Sequence, residues 1–297
     1  MWCSLGMTTL RQNFIRELVI RGMATRTQEA YIRAVYELAK HYHKGPDQLT
    51  DEELKSYLYY LAQERKLSPS SVNQVVCGLR LFYKTVLQRS VDFLCTALPY
   101  RNRRVRRPQV FSVEEVERLL TVGCPRLKVR AFLMTVYGGG LRLEEACHLK
   151  AEHINRARMQ IRVEQGKGRK DRYTLLSPVL LSELERYWRS DRPEHWLFPA
   201  AHDPQSPMDG RTAQKMFYRA VARAGLPHRG GIHTLRHSFA THLLEAGVEI
   251  TVVQRLLGHS TVTTTANYLH VRQERLAQVK SPLQLLDLKQ LPSHPQS

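Results

Sequence analysis

Between Arg101 and Arg107 the chain sets five arginines in seven residues with no acid among them, and Pro108 follows. Like charges at that density repel one another and stay hydrated, and the proline resists a continuing helix. One core cannot run through such a stretch. The 297 residues must therefore fold on either side of it, and that length suits two domains of ordinary size. The expected division is a first domain over 1–100, a basic linker over 101–110, a second domain over 111–290 and a disordered tail over 291–297. The arginine run reads either as a solvated hinge or as a basic tether between two domains that both touch a polyanion.

Upstream of the linker the pattern is helical throughout. Leu10, Phe14, Leu18 and Val19 recur at helical spacing, and Thr27 is the expected cap of a helix carrying Tyr31, Val35 and Leu38. Thr50 with Glu53 reads as a capping box ahead of Leu54, Tyr57, Leu58 and Leu61. Ser68 followed by Pro69 opens a fourth helix through Val72, Val75, Val76, Leu79 and Phe82. Residues 8–90 thus read as a small all-α domain, with Met7 an alternative start because the pattern begins after it.

Downstream, Ser112 and Glu115 form another capping box, and a helix is expected around Arg126–Tyr137. The period then switches to two. Met159–Val163 and Arg172–Leu176 read as strands of a hairpin around Gly166-Lys167-Gly168. From Thr212 onward the signal is helical again, and Ser281-Pro282 marks a last short helix with Leu283, Leu286 and Asp287. The fold class is mainly α with a small β-sheet.

Forty-five Lys and Arg against 27 Asp and Glu give a net charge of +18, which calls for a polyanionic partner, most simply nucleic acid. A hydrophobic content of 42% is enough for real cores and argues against a mainly disordered basic tail. No apolar run approaches a membrane span, and the first residues lack a secretion signal, so a cytoplasmic protein is expected. The five cysteines form no C-x-x-C pair, which favours reduced thiols over a disulfide framework or zinc module.

Four clusters bear chemistry. Gly138-Gly-Gly-Leu-Arg-Leu-Glu-Glu-Ala146 implies a sharp turn into a helix with Arg142 in its first turn. A cation there opposes the helix dipole, so Arg142 calls for an anion. Glu145 either holds that guanidinium in place or forms a simple i,i+3 surface pair. The hairpin tip Gln165-Gly-Lys-Gly-Arg-Lys-Asp171 exposes Lys167, Arg169 and Lys170, and it lacks the residue order of a P-loop.

The third cluster, Gly231-Ile-His-Thr-Leu-Arg-His-Ser-Phe-Ala-Thr-His242, puts His233 and Arg236 on one helical face. His237 and His242 fall elsewhere on the wheel and read as structural, and without an H-E-x-x-H motif a metal site is disfavoured. The fourth, Leu256-Leu-Gly-His-Ser260, ends a helix at Gly258-His259, and Ser260 and Thr261 are expected caps of a helix bearing Tyr268. A lone tyrosine is ordinarily a packed ring with a satisfied hydroxyl.

Taken together, two arginines, a lysine, two histidines and a tyrosine suit one task. Two guanidiniums can brace a phosphodiester transition state, a lysine can protonate a leaving alkoxide, and histidine can relieve a phenol of its proton. Few acids lie nearby to hold metals. The pattern favours metal-free covalent phosphoryl transfer through a tyrosine, with no cofactor.

These motifs resemble those of the tyrosine recombinase (phage integrase) family. Arg142 within G-L-R-L-E-E, Lys167 in G-K-G, H-T-L-R-H at His233–His237, L-G-H at His259 and Tyr268 nine residues later match in order and spacing. The resemblance implies an N-terminal helical, SAM-like core-binding domain and an α+β catalytic domain that clamp duplex DNA. It gives Tyr268 the role of nucleophile, forming a 3′-phosphotyrosyl link. Arg142 and Arg236 stabilise the transition state, Lys167 is the general acid, His233 the base, and His259 a further phosphate donor, with Glu145 in support. It also implies a homotetramer on inverted-repeat core sites, a Holliday junction, and DNA contacts from Arg101, Arg103, Arg104, Arg106, Arg107, Arg169 and Lys170. A second recombinase subunit is a possible partner. A mobile-element integrase or transposase is the favoured subfamily, with an Xer-type chromosome-dimer resolvase, a topoisomerase or a non-catalytic DNA-binding accessory protein as alternatives.

Overall fold

The computed structural model describes residues 9–96, 109–164, 171–266 and 268. The linker arginines Arg101 to Arg107, the hairpin tip with Lys167, Arg169 and Lys170, the final leucine-bearing segment and the tail lie outside the described residues. The chain divides into two compact units, Met1–Val105 and Arg106–Ser297.

The first unit is all-helical among its described residues: α1 (Thr9–Ile20), α2 (Thr25–Tyr42), α3 (Asp51–Gln63), α4 (Pro69–Thr85) and the single turn α5 (Phe93–Thr96). Their apolar stripes meet in one core that includes Phe14, Leu18, Val35, Leu38, Leu79 and Phe82. The capping box at the start of α3 is formed as expected, with Thr50 N–H donating to Glu53 Oε2 at 2.8 Å. Ser68 likewise caps α4, accepting from the backbone of Ser71. Thr27, in contrast, is no cap. Its own N–H donates to the carbonyl of Ala24, where the helix begins, and Gln28 Nε2 ties that turn back to the Met23 carbonyl at 2.7 Å.

The second unit opens with α6 (Val113–Thr121), capped by the Ser112–Glu115 box, and α7 (Leu127–Gly138). The one-turn α8 (Leu143–Cys147) leads into a three-stranded antiparallel sheet of β1 (Ile154–Asn155), β2 (Gln160–Val163) and β3 (Arg172–Leu175). Ile161 pairs with Thr174 across the central strands. The sheet has one strand more than the sequence pattern suggests, because a two-residue strand is too short to display a period. β2 also starts one residue later than expected. Met159 sits at φ 51°, a left-handed conformation that a strand residue does not adopt.

Five helices complete the unit: α9 (Pro178–Asp191), α10 (Gly210–Arg223), α11 (His233–Glu245), α12 (Ile250–Leu257) and α13 (Val262–Ala266). A large core containing Phe111, Phe132, Ile161, Tyr187, Phe198, Phe217 and Leu235 binds α6 to α11 and the sheet together. A smaller cluster of Phe239, Leu244, Val253, Leu257 and Tyr268 fixes α12 and the segment after it against α11. His242 is structural, as the helical wheel suggests. Its Nδ1 meets the Tyr137 hydroxyl at 2.9 Å and its Nε2 the Phe111 carbonyl at 3.0 Å.

Candidate active site

Arg142 stands as the N-cap of α8 rather than inside its first turn, in extended backbone at φ −71° and ψ 155°. Its N–H donates to Glu145 Oε2 at 2.7 Å, and its Nη1 donates to Glu145 Oε1 at 2.6 Å. The carboxylate one turn on thus answers both the orphan backbone donor and the cation. This is no surface pair, because the Glu145 side chain is 8% exposed.

A third partner shares the same carboxylate. Arg172, at the start of β3, donates from Nη1 to Glu145 Oε1 and from Nη2 to Oε2, both at 2.7 Å. Its Nε donates to the Leu256 carbonyl at 2.9 Å, which ties the strand to the end of α12. Sequence pattern assigns Arg172 only a place in the strand. A bidentate partner 27 residues away leaves no local signature, so nothing in the sequence marks it as a site residue.

Arg236 projects from α11 into the same place and is 4% exposed. Nη1 donates to the Gly140 carbonyl at 2.7 Å, Nη2 to the Leu257 carbonyl at 2.5 Å, and Nη1 stands 3.8 Å from Glu145 Oε2. Two glycines make these approaches available. Gly140 lies at φ +58°, and a Cβ there would fall 2.4 Å from the Phe239 ring. Gly258 lies at φ +63°, where a Cβ would meet Arg172 Cδ at 2.7 Å, while its carbonyl accepts from Arg142 Nη2 at 3.2 Å. Any side chain at either position would be strained, and would press on the Phe239 ring at Gly140 or on Arg172 at Gly258.

Three guanidiniums face one carboxylate, so the cluster keeps a positive excess. Burial alone would raise the Glu145 pKa, but the hydrogen bonds and charges of Arg172 and Arg142 outweigh it and hold the group at about 2. Burial, followed by the field of Arg142, brings Arg236 down to about 9, so it remains a cation at neutral pH. Desolvation and then the charges of Arg236 and Arg142 lower the pKa of His233, the exposed first residue of α11.

His259 follows the αL cap at Gly258, and its Nδ1 meets Thr265 Oγ1 at 2.9 Å. Burial first, then Arg236, Arg142 and Arg172, hold its pKa at about 4. The Tyr268 ring stacks on it with centroids 6.4 Å apart and planes 15° from parallel. Tyr268 is 5% exposed, and its hydroxyl is 2.9 Å from Nδ1 of His237. The sequence pattern gives His237 a structural place and does not foresee this contact. His237 lies one full turn beyond His233, and the path of the chain after α13 brings the phenol to it.

The structure thus gathers Arg142, Glu145, His233, Arg236, His259 and Tyr268 at one place, and adds Arg172 and His237. No cluster of three or more His, Cys, Asp or Glu side chains arranged to hold a metal occurs among the described residues. None of their helices is long and apolar enough to cross a membrane.

A buried cationic cradle with a phenol at its edge, on a helical scaffold with a small sheet, defines a class. Residues 109–275 match the phage integrase family, and residues 10–92 match the phage integrase N-terminal SAM-like domain. The chain belongs to the phage integrase family, the tyrosine recombinases. A Sinorhizobium fredii protein carrying the name integrase/recombinase y4qK is 41% identical over 287 residues, covering 95% of this chain and 91% of its own. A tyrosine recombinase of Pseudothermotoga lettingae is 31% identical over 288 residues, covering 94% of this chain and 99% of its own. The fold is shared with a lambda integrase dimer bound to a COC′ core site, at a TM-score of 0.69 and 18% identity, over 88% of this chain and 94% of that one.

Proposed function

We propose that this protein is a site-specific DNA strand-transferase that cuts and rejoins duplex DNA through a covalent link to Tyr268. The observation that carries the reading is the cradle itself. Arg142 and Arg236 are held by backbone carbonyls and Glu145 in fixed positions, and each guanidinium has further N–H donors for an anion. Fixed donors aimed at a developing phosphorane cost no reorganisation as charge builds up, which is the largest source of rate in such reactions.

In this scheme the Tyr268 oxygen attacks the scissile phosphorus, and the 5′ oxygen of the next nucleotide departs. Lys167 on the hairpin supplies the proton to that oxygen. His259 and His233 line the phosphate. The 5′ hydroxyl of a partner strand reverses the step, so the bond energy is conserved in the phosphotyrosine and no nucleotide triphosphate is consumed. Two such rounds on paired inverted-repeat sites, within a homotetramer, make and resolve a Holliday junction. The linker arginines and the hairpin cations Arg169 and Lys170 hold the duplex by its phosphates, and the work takes place on DNA in the cytoplasm. Integration or transposition of a mobile element is the favoured setting, supported by the 41% identity to an integrase/recombinase against 35% to a tyrosine recombinase XerA of Thermococcus kodakarensis. An Xer-type resolvase is the second reading.

A nicked duplex, built on the site the protein selects from a random-sequence pool, tests the proposal. Wild-type protein is expected to accumulate a covalent DNA adduct in the presence of chelator and without ATP, while Tyr268→Phe binds the duplex and forms none. Salt-sensitive binding with no adduct under any condition would leave a DNA-binding accessory protein instead.

A further inference from the structure

We propose that His237, rather than His233, takes the phenolic proton of Tyr268 during strand cleavage, and is therefore a catalytic residue. This inference rests on Tyr268 being the nucleophile. The geometry comes first. Tyr268 Oη and His237 Nδ1 are 2.9 Å apart, within the range expected of a nucleophile and its base. The two rings are 5.6 Å apart at 45°, and the tyrosine is 5% exposed, so among the described residues the imidazole is the group in hydrogen-bonding contact with the hydroxyl. His233, one turn earlier on α11, makes no such contact.

The surroundings set the protonation state of the ring. His237 is faced by His233 and Arg236 from its own helix, and by His259 and Tyr268 from the segment beyond α12. Burial, then His233 and Arg236, hold its pKa at about 4. The imidazole is consequently neutral at pH 7, and with its ring proton on Nε2 the Nδ1 lone pair is open to the phenol. An arriving phosphodiester brings negative charge beside Arg236, which offsets the repulsion on an imidazolium and raises the basicity of the ring.

The step balances within these groups. A bond forms between Tyr268 Oη and phosphorus, the bond from phosphorus to the 5′ oxygen breaks, and the phenolic proton passes to His237 Nδ1. The departing 5′ oxygen receives its proton from Lys167. In religation the imidazolium returns the proton to the phenolate as it leaves phosphorus.

Single-turnover cleavage of the nicked duplex by the full chain provides the test, with duplex binding measured in parallel. His237→Ala is expected to slow adduct formation by roughly 10²–10³-fold, within the range of general-base catalysis, and added imidazole is expected to recover part of the rate. His237→Asn can accept the phenol's hydrogen bond at the place of Nδ1 but cannot take the proton, so it is expected to stay as slow as alanine. That variant and the imidazole response also separate lost chemistry from lost folding. A His237→Ala rate within about threefold of wild type, or full recovery in His237→Asn, would overturn the inference. With Tyr268→Phe inactive in the same assay, either result leaves the nucleophile standing. An active Tyr268→Phe would instead remove the reading on which the inference rests.

Discussion

Both terminal nitrogens of Arg172 rest on the two carboxylate oxygens of Glu145, each at 2.7 Å, while Arg142 occupies one of the same oxygens at 2.6 Å. One acidic side chain therefore positions two arginines directly and stands 3.8 Å from a third, Arg236. Glu145→Ala would leave buried guanidiniums facing one another without compensation. Removing one partner from a buried pair costs about 3–5 kcal/mol, so the expected outcome is a large fall in Tm together with loss of adduct formation. Differential scanning calorimetry checks it, and an unchanged melt would show the three charges to be independent.

Arg172→Lys keeps the charge and loses the fork. An ammonium cannot reach both carboxylate oxygens and the Leu256 carbonyl at once. A loss of about 1–3 kcal/mol is expected for the abandoned buried acceptors. At about 2–4 °C per kcal/mol for a domain of this size, the shift is readable in a thermal melt. Cleavage should slow as well, since the strand then no longer anchors the carboxylate that orients Arg142.

Acid should weaken the second unit in two stages. His237 and His259 have ordinary pKa values of 6.5 and folded values of about 4, so between those limits the unfolded chain binds more protons. Their contribution to stability is unaffected above pH 6.5 and turns unfavourable as pH falls toward about 4. Glu145 acts lower down. Its folded value of about 2 lies below the ordinary 4.5, so its stabilisation is complete above 4.5 and is lost as pH falls toward 2. Melts across this range should show Tm declining through both windows, with His259→Gln flattening the upper one.

The basic linker makes a separable prediction. Replacing Arg101, Arg103, Arg104, Arg106 and Arg107 together with alanine should weaken binding to every duplex alike. It should also reduce the slope of log affinity against log salt by about 0.9 for each phosphate that the protein no longer neutralises. A variant with an unchanged slope would make the run a hinge alone.

Much of this architecture is legible in the sequence because its signals are local. The boxes at Thr50–Glu53 and Ser112–Glu115, the Ser68-Pro69 start and the alternation through β2 and β3 each declare themselves within a few residues. Arg142, His233, Arg236, His259 and Tyr268 are legible through their order and spacing. Arg172 and His237 are not. The first meets a carboxylate 27 residues earlier, and the second a phenol 31 residues later, so tertiary packing alone brings each to its partner. Helix α9 lies outside the elements expected from sequence, although Ser177 caps it and Pro178 opens it.

Strand cleavage through a covalent link turns on the oxygen of one side chain. After the nicked duplex has been cleaved by wild-type protein and digested with nuclease and trypsin, mass spectrometry of the peptides should find the nucleotide remnant on Tyr268. The remnant on any other residue, or cleavage with no protein-linked nucleotide, would contradict it.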